Sequence, residues 1–361
     1  MAAVAATAVL VTVVVLKTTR SASPADVGRR DGGVLDLIGN TPLIRIRSLS
    51  EATGCTILGK VEYLNPGGSI KDRAVLRIVE EAERAGQLRP GDTLYEGTVG
   101  STGISLALIA RAKGYKCHIV MPDDQAREKY AILRALGAHV EEVRPVSIVD
   151  ADQFVNLARR RASEDARGFF LNQFENLANA RAHYATTAVE IWRQTGGRID
   201  AFVCGAGTGG TIAGVSAFLR ERDANIKIVL ADPPGSGLWN KVRKGVMYDA
   251  AEAEGRRGRH QVDTVTEGVG INRITRNFAR AVVDDAIRVS DEESVRMSRH
   301  LMEHDALFVG SSSALNCAGA LKLAAQLPKG SVIVTILCDS GTRHLTKFWN
   351  DEYLARKRVL W

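Results

Sequence analysis

From residue 34 onward, short apolar runs alternate with stretches whose apolar residues recur every three or four positions. The second pattern places one apolar face on a helix, as at Ile212, Val215, Phe218 and Leu219. The apolar runs, four to seven residues long, are typical of strands that are buried on both faces. The pattern predicts strands at residues 56–62, 93–96, 116–121, 139–143, 201–204, 227–232 and 331–337, and helices at 71–85, 102–113, 128–136, 151–163, 180–194, 211–222, 291–303 and 313–326.

This alternation predicts the α/β fold class, with two lobes that each contain a mostly parallel twisted sheet covered by helices. We expect one folded domain over residues 24–355, with a smaller lobe at about 75–180. The larger lobe is expected at about 34–74 plus 181–350. Residues 233–261 are rich in glycine, proline and charge, which indicates a long surface excursion near a site.

The first 23 residues form a separate apolar segment, because residues 2–16 carry no charge and Lys17 and Arg20 follow them. A secretory signal carries its positive charge before the apolar run, and a matrix presequence is amphipathic and rich in arginine. A short membrane anchor fits better, with the folded domain on the cytosolic side of a thin membrane such as the mitochondrial outer membrane. The alternatives are a frayed apolar tail and a soluble mitochondrial or cytoplasmic protein.

The composition and charge of the chain also limit the metals and macromolecules that it is expected to bind. The 361 residues are 45% hydrophobic and 25% charged, with a formal net charge of +7. Basic clusters near residues 256–259 and 356–358 are expected to be solvated surfaces, or alternatively to attract anionic substrates or an acidic membrane. No nucleic-acid-binding motif accompanies them, so no nucleic-acid partner is expected. The five cysteines form no CxxC pair, and no metal-binding spacing occurs, so we predict buried thiols and no metal site.

Two glycine-rich segments in the first half of the chain open onto predicted helices. The first, residues 65–73, places Lys71 at the start of a helix, where the helix dipole disfavours a second positive charge. A neutral amine is the form that condenses with an aldehyde. An ordinary solvated lysine is the alternative. The second segment, residues 96–103, offers backbone N–H groups and hydroxyls to a carboxylate or phosphate, or is simply a tight turn.

A third glycine-rich segment, residues 205–211, follows a predicted strand and opens the next helix, as a phosphate-binding turn does. It also satisfies GxGxxG at Gly205, Gly207 and Gly210, and Asp232 ends the next predicted strand, so a dinucleotide site is a rival interpretation. A fourth segment, residues 309–314, presents serines that either cap a helix or face a ligand. Residues 338–341 end another strand and could line the same crevice.

Taken together, these segments resemble the cysteine synthase (O-acetylserine sulfhydrylase) family of fold-type II, tryptophan synthase β-like enzymes, which depend on pyridoxal phosphate. The resemblance covers about residues 34–348, and eight stretches match in the family's order. It implies a pyridoxal-phosphate-binding catalytic domain, a homodimer and a phosphate site in place of a dinucleotide site. The matching stretches are residues 38–43, 65–73, 173–176, 183–187, 207–211, 267–270, 310–314 and 339–341.

The resemblance also implies roles for individual residues. Lys71 is expected to hold the cofactor through a Schiff base and to act in catalysis. The expected cofactor-binding residues are Lys71, Ser101, Gly207, Thr208, Gly209, Gly210, Thr211 and Ser312, of which Ser312 faces the pyridine nitrogen. The expected substrate-binding residues are Thr98, Gly100, Thr102, Gln173 and Gly268.

The second segment departs from the family pattern, which reads Thr-Ser-Gly-Asn-Thr-Gly. Here Val99 replaces a serine, and Ser101 replaces the asparagine that contacts the phenolic oxygen of the cofactor. The shorter serine needs a water molecule or a shift of the loop to make that contact. The departure puts the substrate and the rate in question more than cofactor binding.

The implied reaction is β-replacement, in which O-acetyl-L-serine and sulfide give cysteine and acetate. Rivals within the family are cystathionine β-synthase-like condensation with homocysteine, use of O-phosphoserine, and cysteine desulfhydration. Rivals from other classes are an NAD-dependent oxidoreductase and a catalytically weak scaffold that kept the fold.

Overall fold

A computed structural model describes residues 33–248, 264–359 and 361 of the chain. It confirms the α/β class and contains two sheets, one in each lobe. The larger sheet has the strand order β1-β2-β10-β7-β8-β9, in which β1 alone is antiparallel to its neighbour. The smaller sheet is entirely parallel and has the order β5-β4-β3-β6. The strands are β1 Leu43–Arg45, β2 Thr56–Val61, β3 Thr93–Gly97, β4 Lys116–Pro122, β5 His139–Val143, β6 Gly168–Phe170, β7 Ala201–Cys204, β8 Lys227–Asp232, β9 Asp285–Arg288 and β10 Val332–Leu337.

Helices connect successive parallel strands and cover the sheets. The strands β7, β8 and β10 are buried along nearly their whole length, which explains their continuous apolar runs. The short strands β1, β6 and β9 lie at sheet edges and lack the pattern that would have predicted them. The helices are α1 Arg47–Thr53, α2 Lys71–Arg84, α3 Ser101–Lys113, α4 Arg127–Ala135, α5 Phe154–Glu164, α6 Ala178–Ala182, α7 Ala188–Gln194, α8 Gly210–Arg222, α9 Leu238–Lys244, α10 Asp291–Asp305, α11 Ser311–Ala324 and α12 Asp351–Arg356.

One predicted helix, residues 180–194, is interrupted in the structure. A π-helical turn, His183–Thr187, separates α6 from α7. In such a turn each hydrogen bond spans five residues, one more than in an α-helix, and these turns commonly mark functional sites. Here the turn packs against α8, where a Cβ on Gly214 would lie 2.6 Å from the backbone nitrogen of Tyr184. The interruption therefore brings His183 against the start of α8.

The four-stranded sheet runs from Thr93 to Phe170, and its core is separate from the cores on the two faces of the larger sheet. The exact boundaries of the two lobes, and of the domain at 24–355, stay predictions. The apolar segment at residues 2–16, with its expected membrane anchor, lies outside the described residues. Across the described part of the chain, no helix combines the length and apolarity needed to cross a membrane.

Candidate active site

A cleft of about 930 Å³ opens where strands of both sheets end. The segments that follow β3, β7 and β10 all reach it, as expected for the carboxyl ends of parallel strands. It brings together residues that are far apart in sequence. Of the thirteen residues predicted for the site, eleven line the cleft: Lys71, Thr98, Ser101, Thr102, Gln173, Gly207, Thr208, Gly209, Thr211, Gly268 and Ser312.

The two remaining predicted residues lie beside the cleft. Gly100 precedes α3, with a φ of 142° that favours glycine. Gly210 begins α8, and a Cβ there would collide with the side-chain amide of Asn179. Both glycines therefore shape the loops that carry lining residues.

Lys71 begins α2 directly after the glycine-rich turn. Its backbone nitrogen donates to the hydroxyl of Ser69, 3.3 Å away. Ser69 pairs through its backbone with Asp339, which follows β10. The start of α2 is thus fixed to the larger sheet, with Lys71 half-buried among the residues of the cleft.

Two glycine positions in the turn between β7 and α8 leave no room for a side chain. A Cβ on Gly207 would collide with the carbonyl oxygen of Gly268, and a Cβ on Gly209 would lie 2.6 Å from Phe278. Gly209 also has a φ of 83°, in the left-handed region. The first N–H groups of α8 have no partner within the helix and carry its positive dipole end. The turn is therefore suited to a phosphate.

Side chains around this turn hold its hydroxyls in place. Asn179 donates to the hydroxyl of Thr208 at 3.0 Å, and the hydroxyl of Thr275 donates to the carbonyl of Thr208 at 2.8 Å. The Nε2 atom of His183 lies 3.3 Å from the hydroxyl of Thr211. Burial lowers the pKa of His183, and so do the positive charges of Arg73 and Lys71, so its ring is neutral. No role was expected for His183, although it begins the matching stretch 183–187, because its contact with Thr211 depends on the packing of the π-helical turn against α8.

Ser312 lies in the first turn of α11 and is buried at the edge of the cleft. Its side chain hydrogen-bonds with Cys338, the residue after β10. Burial raises the pKa of Cys338 to about 11, although the charge of Lys71 nearby opposes the rise. Asn316 donates to the sulfur at 3.4 Å and accepts from the backbone nitrogen of Gly205 at 2.6 Å. Ser312 therefore presents an uncharged hydroxyl to the cleft, beside a thiol that stays protonated at neutral pH.

The loop between β3 and α3 carries the predicted substrate-binding threonines. The hydroxyl of Thr102 donates to Oε1 of Gln173 at 2.6 Å, and Nε2 of Gln173 donates to Glu96 at 3.0 Å. Thr98 accepts from the backbone nitrogen of Gly100 at 3.2 Å. Two hydroxyls and the N-terminus of α3 thus face one end of the cleft, an arrangement suited to a carboxylate.

Ser101 contacts residues of the larger lobe across the cleft. Its hydroxyl lies 3.4 Å from Oδ2 of Asp339 and 3.3 Å from a guanidinium nitrogen of Arg343. Arg343 also donates to the carbonyl oxygen of Gly67 in the glycine-rich turn before Lys71. The serine that departs from the family pattern is therefore held by a buried arginine.

Sequence reasoning missed a buried ionic cluster on the same wall. Lys129 on α4 pairs with Glu267, and His344 lies 3.1 Å from both Glu267 and Asp339. Burial alone would lower the pKa of His344, but the two carboxylates outweigh it and raise the pKa to about 9. Glu267 and Asp339 each begin a matching stretch, but no local motif connects them with Lys129 and His344, and the four residues come together only through the fold. The same wall includes Lys347, whose ammonium lies 3.6 Å from Glu267.

The rival dinucleotide interpretation requires Asp232 to face the ligand. Asp232 is fully buried, accepts from the backbone nitrogen of Trp239 at 2.8 Å, and is not among the lining residues. It therefore anchors the start of α9. The GxGxxG pattern is present without the acidic ribose contact that a dinucleotide site needs.

The residues fit pyridoxal phosphate: a backbone cradle closed to side chains, a lysine amine, and a neutral hydroxyl on the wall of one cleft. The fold and the cleft define a two-lobed enzyme of the pyridoxal-phosphate-dependent class. The family model described as "Pyridoxal-phosphate dependent enzyme" matches residues 34–339.

The chain is 60% identical to cysteine synthase 2 of Neurospora crassa over 332 residues, which cover 88% of this chain and 73% of that protein. It is 53% identical over 338 residues to a Saccharomyces cerevisiae protein provisionally named a mitochondrial cysteine synthase, with 90% and 86% covered. The crystal structure of O-acetylserine-dependent cystathionine β-synthase from Helicobacter pylori superposes with a TM-score of 0.77 at 34% identity, covering 87% of this chain and 97% of that one. The chain therefore belongs to the cysteine synthase family of pyridoxal-phosphate-dependent enzymes.

Proposed function

We propose that this protein makes L-cysteine from O-acetyl-L-serine and sulfide and releases acetate. The observation that supports this most strongly is that Lys71 lines the same cleft as Gly207, Thr208, Gly209 and Thr211 of the glycine turn, in a chain 60% identical to a cysteine synthase. The O-acetylserine-dependent neighbour supports the same amino-acid substrate.

The roles proposed for the cofactor-binding residues follow from their places in the cleft. Gly207, Thr208, Gly209, Gly210 and Thr211 would hold the phosphate through backbone N–H groups and two hydroxyls. Ser312 would donate to the pyridine nitrogen, and Lys71 would bind the carbonyl carbon. Ser101, held by Arg343, would lie towards the phenolic oxygen. When bound, pyridoxal phosphate supplies an electron sink for the electrons of the Cα–H bond.

The protein's own groups would then move one proton. The amine of Lys71, displaced by the substrate amine, takes the proton from Cα as a general base. The β-carbon loses its C–O bond, and acetate leaves with the electron pair. Hydrosulfide forms the new C–S bond at that carbon, and Lys71 returns the proton to Cα. Atoms balance as O-acetyl-L-serine plus hydrosulfide giving L-cysteine plus acetate.

The proposed substrate site lies at the N-terminus of α3. Thr98, Gly100, Thr102 and Gln173 would bind the carboxylate of the amino acid, and Gly268 would lie beside its β-substituent. The hydroxyl of Thr98 and the free N–H groups at the helix start supply donors to an anion, and the hydroxyl of Thr102 holds Gln173 in place beside them.

The direct test is L-cysteine formation by the purified protein, with O-acetyl-L-serine and sulfide supplied together. We expect cysteine and acetate in equal amounts, and no cysteine when sulfide is left out. Failure of the wild-type protein, loaded with pyridoxal phosphate, to form cysteine would overturn the proposal and favour the weak scaffold. O-phosphoserine in place of O-acetyl-L-serine tests the alternative leaving group.

Cystathionine formation is a second candidate, because the neighbour of TM-score 0.77 is named an O-acetylserine-dependent cystathionine β-synthase. It differs only in the nucleophile that adds to the β-carbon. Competing homocysteine against sulfide at equal concentration separates the two. Cysteine as the main product supports the first candidate, and cystathionine as the main product supports the second.

The cellular placement and assembly belong to the same proposal. The name of the Saccharomyces cerevisiae relative supports a mitochondrial location. The uncharged residues 2–16 support an anchor in the outer membrane, with the catalytic domain on the cytosolic side. Release of the full-length protein from mitochondria by alkaline carbonate would contradict the tether and favour a soluble protein.

The assembly proposed is a homodimer. Light scattering would then give twice the chain mass of 39.0 kDa.

A further inference from the structure

Lys129 is a buried lysine that touches both sides of the cleft. It lies in the first turn of α4, in the smaller lobe, and its side chain is 3% exposed. Its ammonium donates to the carbonyl oxygen of Val99 at 3.3 Å and pairs with the carboxylate of Glu267. One cation thus joins the loop before α3 to the segment that carries Gly268.

The backbone of the loop is shaped around this lysine. A Cβ on Gly100 would lie 2.6 Å from Cδ and 3.1 Å from Cε of Lys129. With a φ of 142°, Gly100 adopts a conformation that other residues rarely reach. A flexible glycine peptide is therefore held in one orientation by its contact with Lys129 and by the bond to the Val99 carbonyl.

Glu267, the partner of Lys129 on the larger lobe, is itself held in place. The backbone nitrogen of Glu267 donates to the hydroxyl of Ser311 at 2.9 Å, which ties it to the start of α11. His344 and Lys347 also approach its carboxylate, at 3.1 Å and 3.6 Å. Burial alone would raise the pKa of Glu267, but the positive charges of Lys129 and His344 outweigh it and hold that pKa well below its usual range. Glu267 is therefore a charged anchor at neutral pH.

We propose that Lys129 is a positioning residue that clamps the carboxylate-binding loop to the larger lobe and so sets the affinity for the substrate carboxylate. The inference rests on the proposed function, because it takes the loop to be the carboxylate site. Orienting the Val99 carbonyl towards Lys129 directs it away from the incoming anion. The ion pair with Lys129 also offsets the buried negative charge of Glu267, which would otherwise repel the same anion.

Two ligands that differ only in the carboxylate test the clamp. L-serine and 2-aminoethanol each carry an amine that can replace that of Lys71, and each replacement changes the visible absorption of the bound cofactor. Titration gives a dissociation constant for each without any turnover. The ratio of the two constants isolates the contribution of the carboxylate.

Lys129→Met is expected to weaken L-serine binding at least tenfold and to leave 2-aminoethanol binding within twofold. Lys129→Arg, which keeps the charge, should hold the ratio within threefold of the wild type. Lys129→Gln provides a second uncharged variant if the methionine variant does not fold. Lys113→Met is the matched control, because Lys113 pairs with Glu83 at 2.8 Å on the same lobe, and Lys113 does not line the cleft.

An unchanged ratio in folded Lys129→Met or Lys129→Gln protein would overturn the clamp, and so would equal weakening of both ligands, which indicates a general structural role. The proposed function fails differently: the wild-type protein would then make no cysteine, whatever the ratio. A wild type that makes cysteine and a variant with an unchanged ratio would overturn the clamp alone.

Discussion

The hydroxyl of Thr102 donates a hydrogen bond of 2.6 Å to the side-chain oxygen of Gln173. Both residues are buried, and they belong to different segments of the smaller lobe. The bond orients Gln173 so that its amide nitrogen donates to Glu96, and it holds the threonine at the start of α3. The two residues act as one unit at the proposed carboxylate site.

Removing either member should therefore have nearly the effect of removing both. We expect Thr102→Val and Gln173→Leu each to raise the KM for O-acetyl-L-serine about tenfold, and the double variant to match the weaker-binding single variant. Steady-state kinetics at saturating sulfide measures all four proteins. Effects that multiply in the double variant would show that the two side chains act independently.

The phosphate turn gives a second prediction with a closely matched control. Gly209 and Gly114 have similar left-handed backbones, with φ of 83° and 78°. Among the described atoms, none lies within 4 Å of a Cβ on Gly114, whereas one on Gly209 would lie 2.6 Å from Phe278. We expect Gly209→Ala to weaken pyridoxal phosphate binding at least tenfold, because the turn must shift.

Gly114→Ala should lower the free energy of unfolding by only about 1 kcal/mol and leave cofactor affinity unchanged. The cofactor dissociation constant is measured by titrating apoprotein with pyridoxal phosphate. Equal affinity in the two alanine variants would mean that the turn does not hold the cofactor.

Glu96 makes the free energy of unfolding depend on pH in the direction opposite to that of an ion-paired carboxylate. Burial raises its pKa to about 8, although Gln173 and backbone N–H groups stabilise the charged form. Between about pH 4.5 and pH 8 the folded protein keeps a proton that the unfolded chain has lost. The contribution of this group to the free energy of unfolding therefore falls as the pH rises through that window.

Glu96→Gln removes this dependence while keeping the size of the side chain. We expect the free energy of unfolding of the variant, relative to that of the wild type, to rise by about 4 kcal/mol between pH 5 and pH 9. Urea unfolding at several pH values gives the comparison. A difference that stays constant with pH would show that Glu96 is ionised in the folded protein at neutral pH.

Local patterns predicted much of the fold and most of the cleft. Helix α2 begins at Lys71 as expected, because a glycine-rich turn and an amphipathic run meet there. The turn before α8 can likewise be recognised in the sequence, because the close packing of Gly207 against Gly268 and of Gly209 against Phe278 requires glycine at both positions. These features depend on residues that are neighbours in sequence.

Contacts that depend on the tertiary fold could not be predicted. Lys129 and Glu267 are 138 residues apart, and although Glu267 begins a matching stretch, nothing in the sequence pairs it with Lys129. The π-helical turn at His183 interrupts an apolar pattern that is continuous in sequence. The edge strands β1 and β6 have only three residues each, and β9 has only two apolar residues between charged ends, so none of them shows an apolar run.

The central claim is that the amine of Lys71 carries the cofactor, and the visible absorption spectrum of Lys71→Ala tests it most directly. We expect the purified variant, incubated with pyridoxal phosphate and desalted, to lack the wild-type visible band and to form no cysteine. Lys113→Ala, prepared in the same way, should retain both. A Lys71→Ala protein with the wild-type band and cysteine formation would contradict the account.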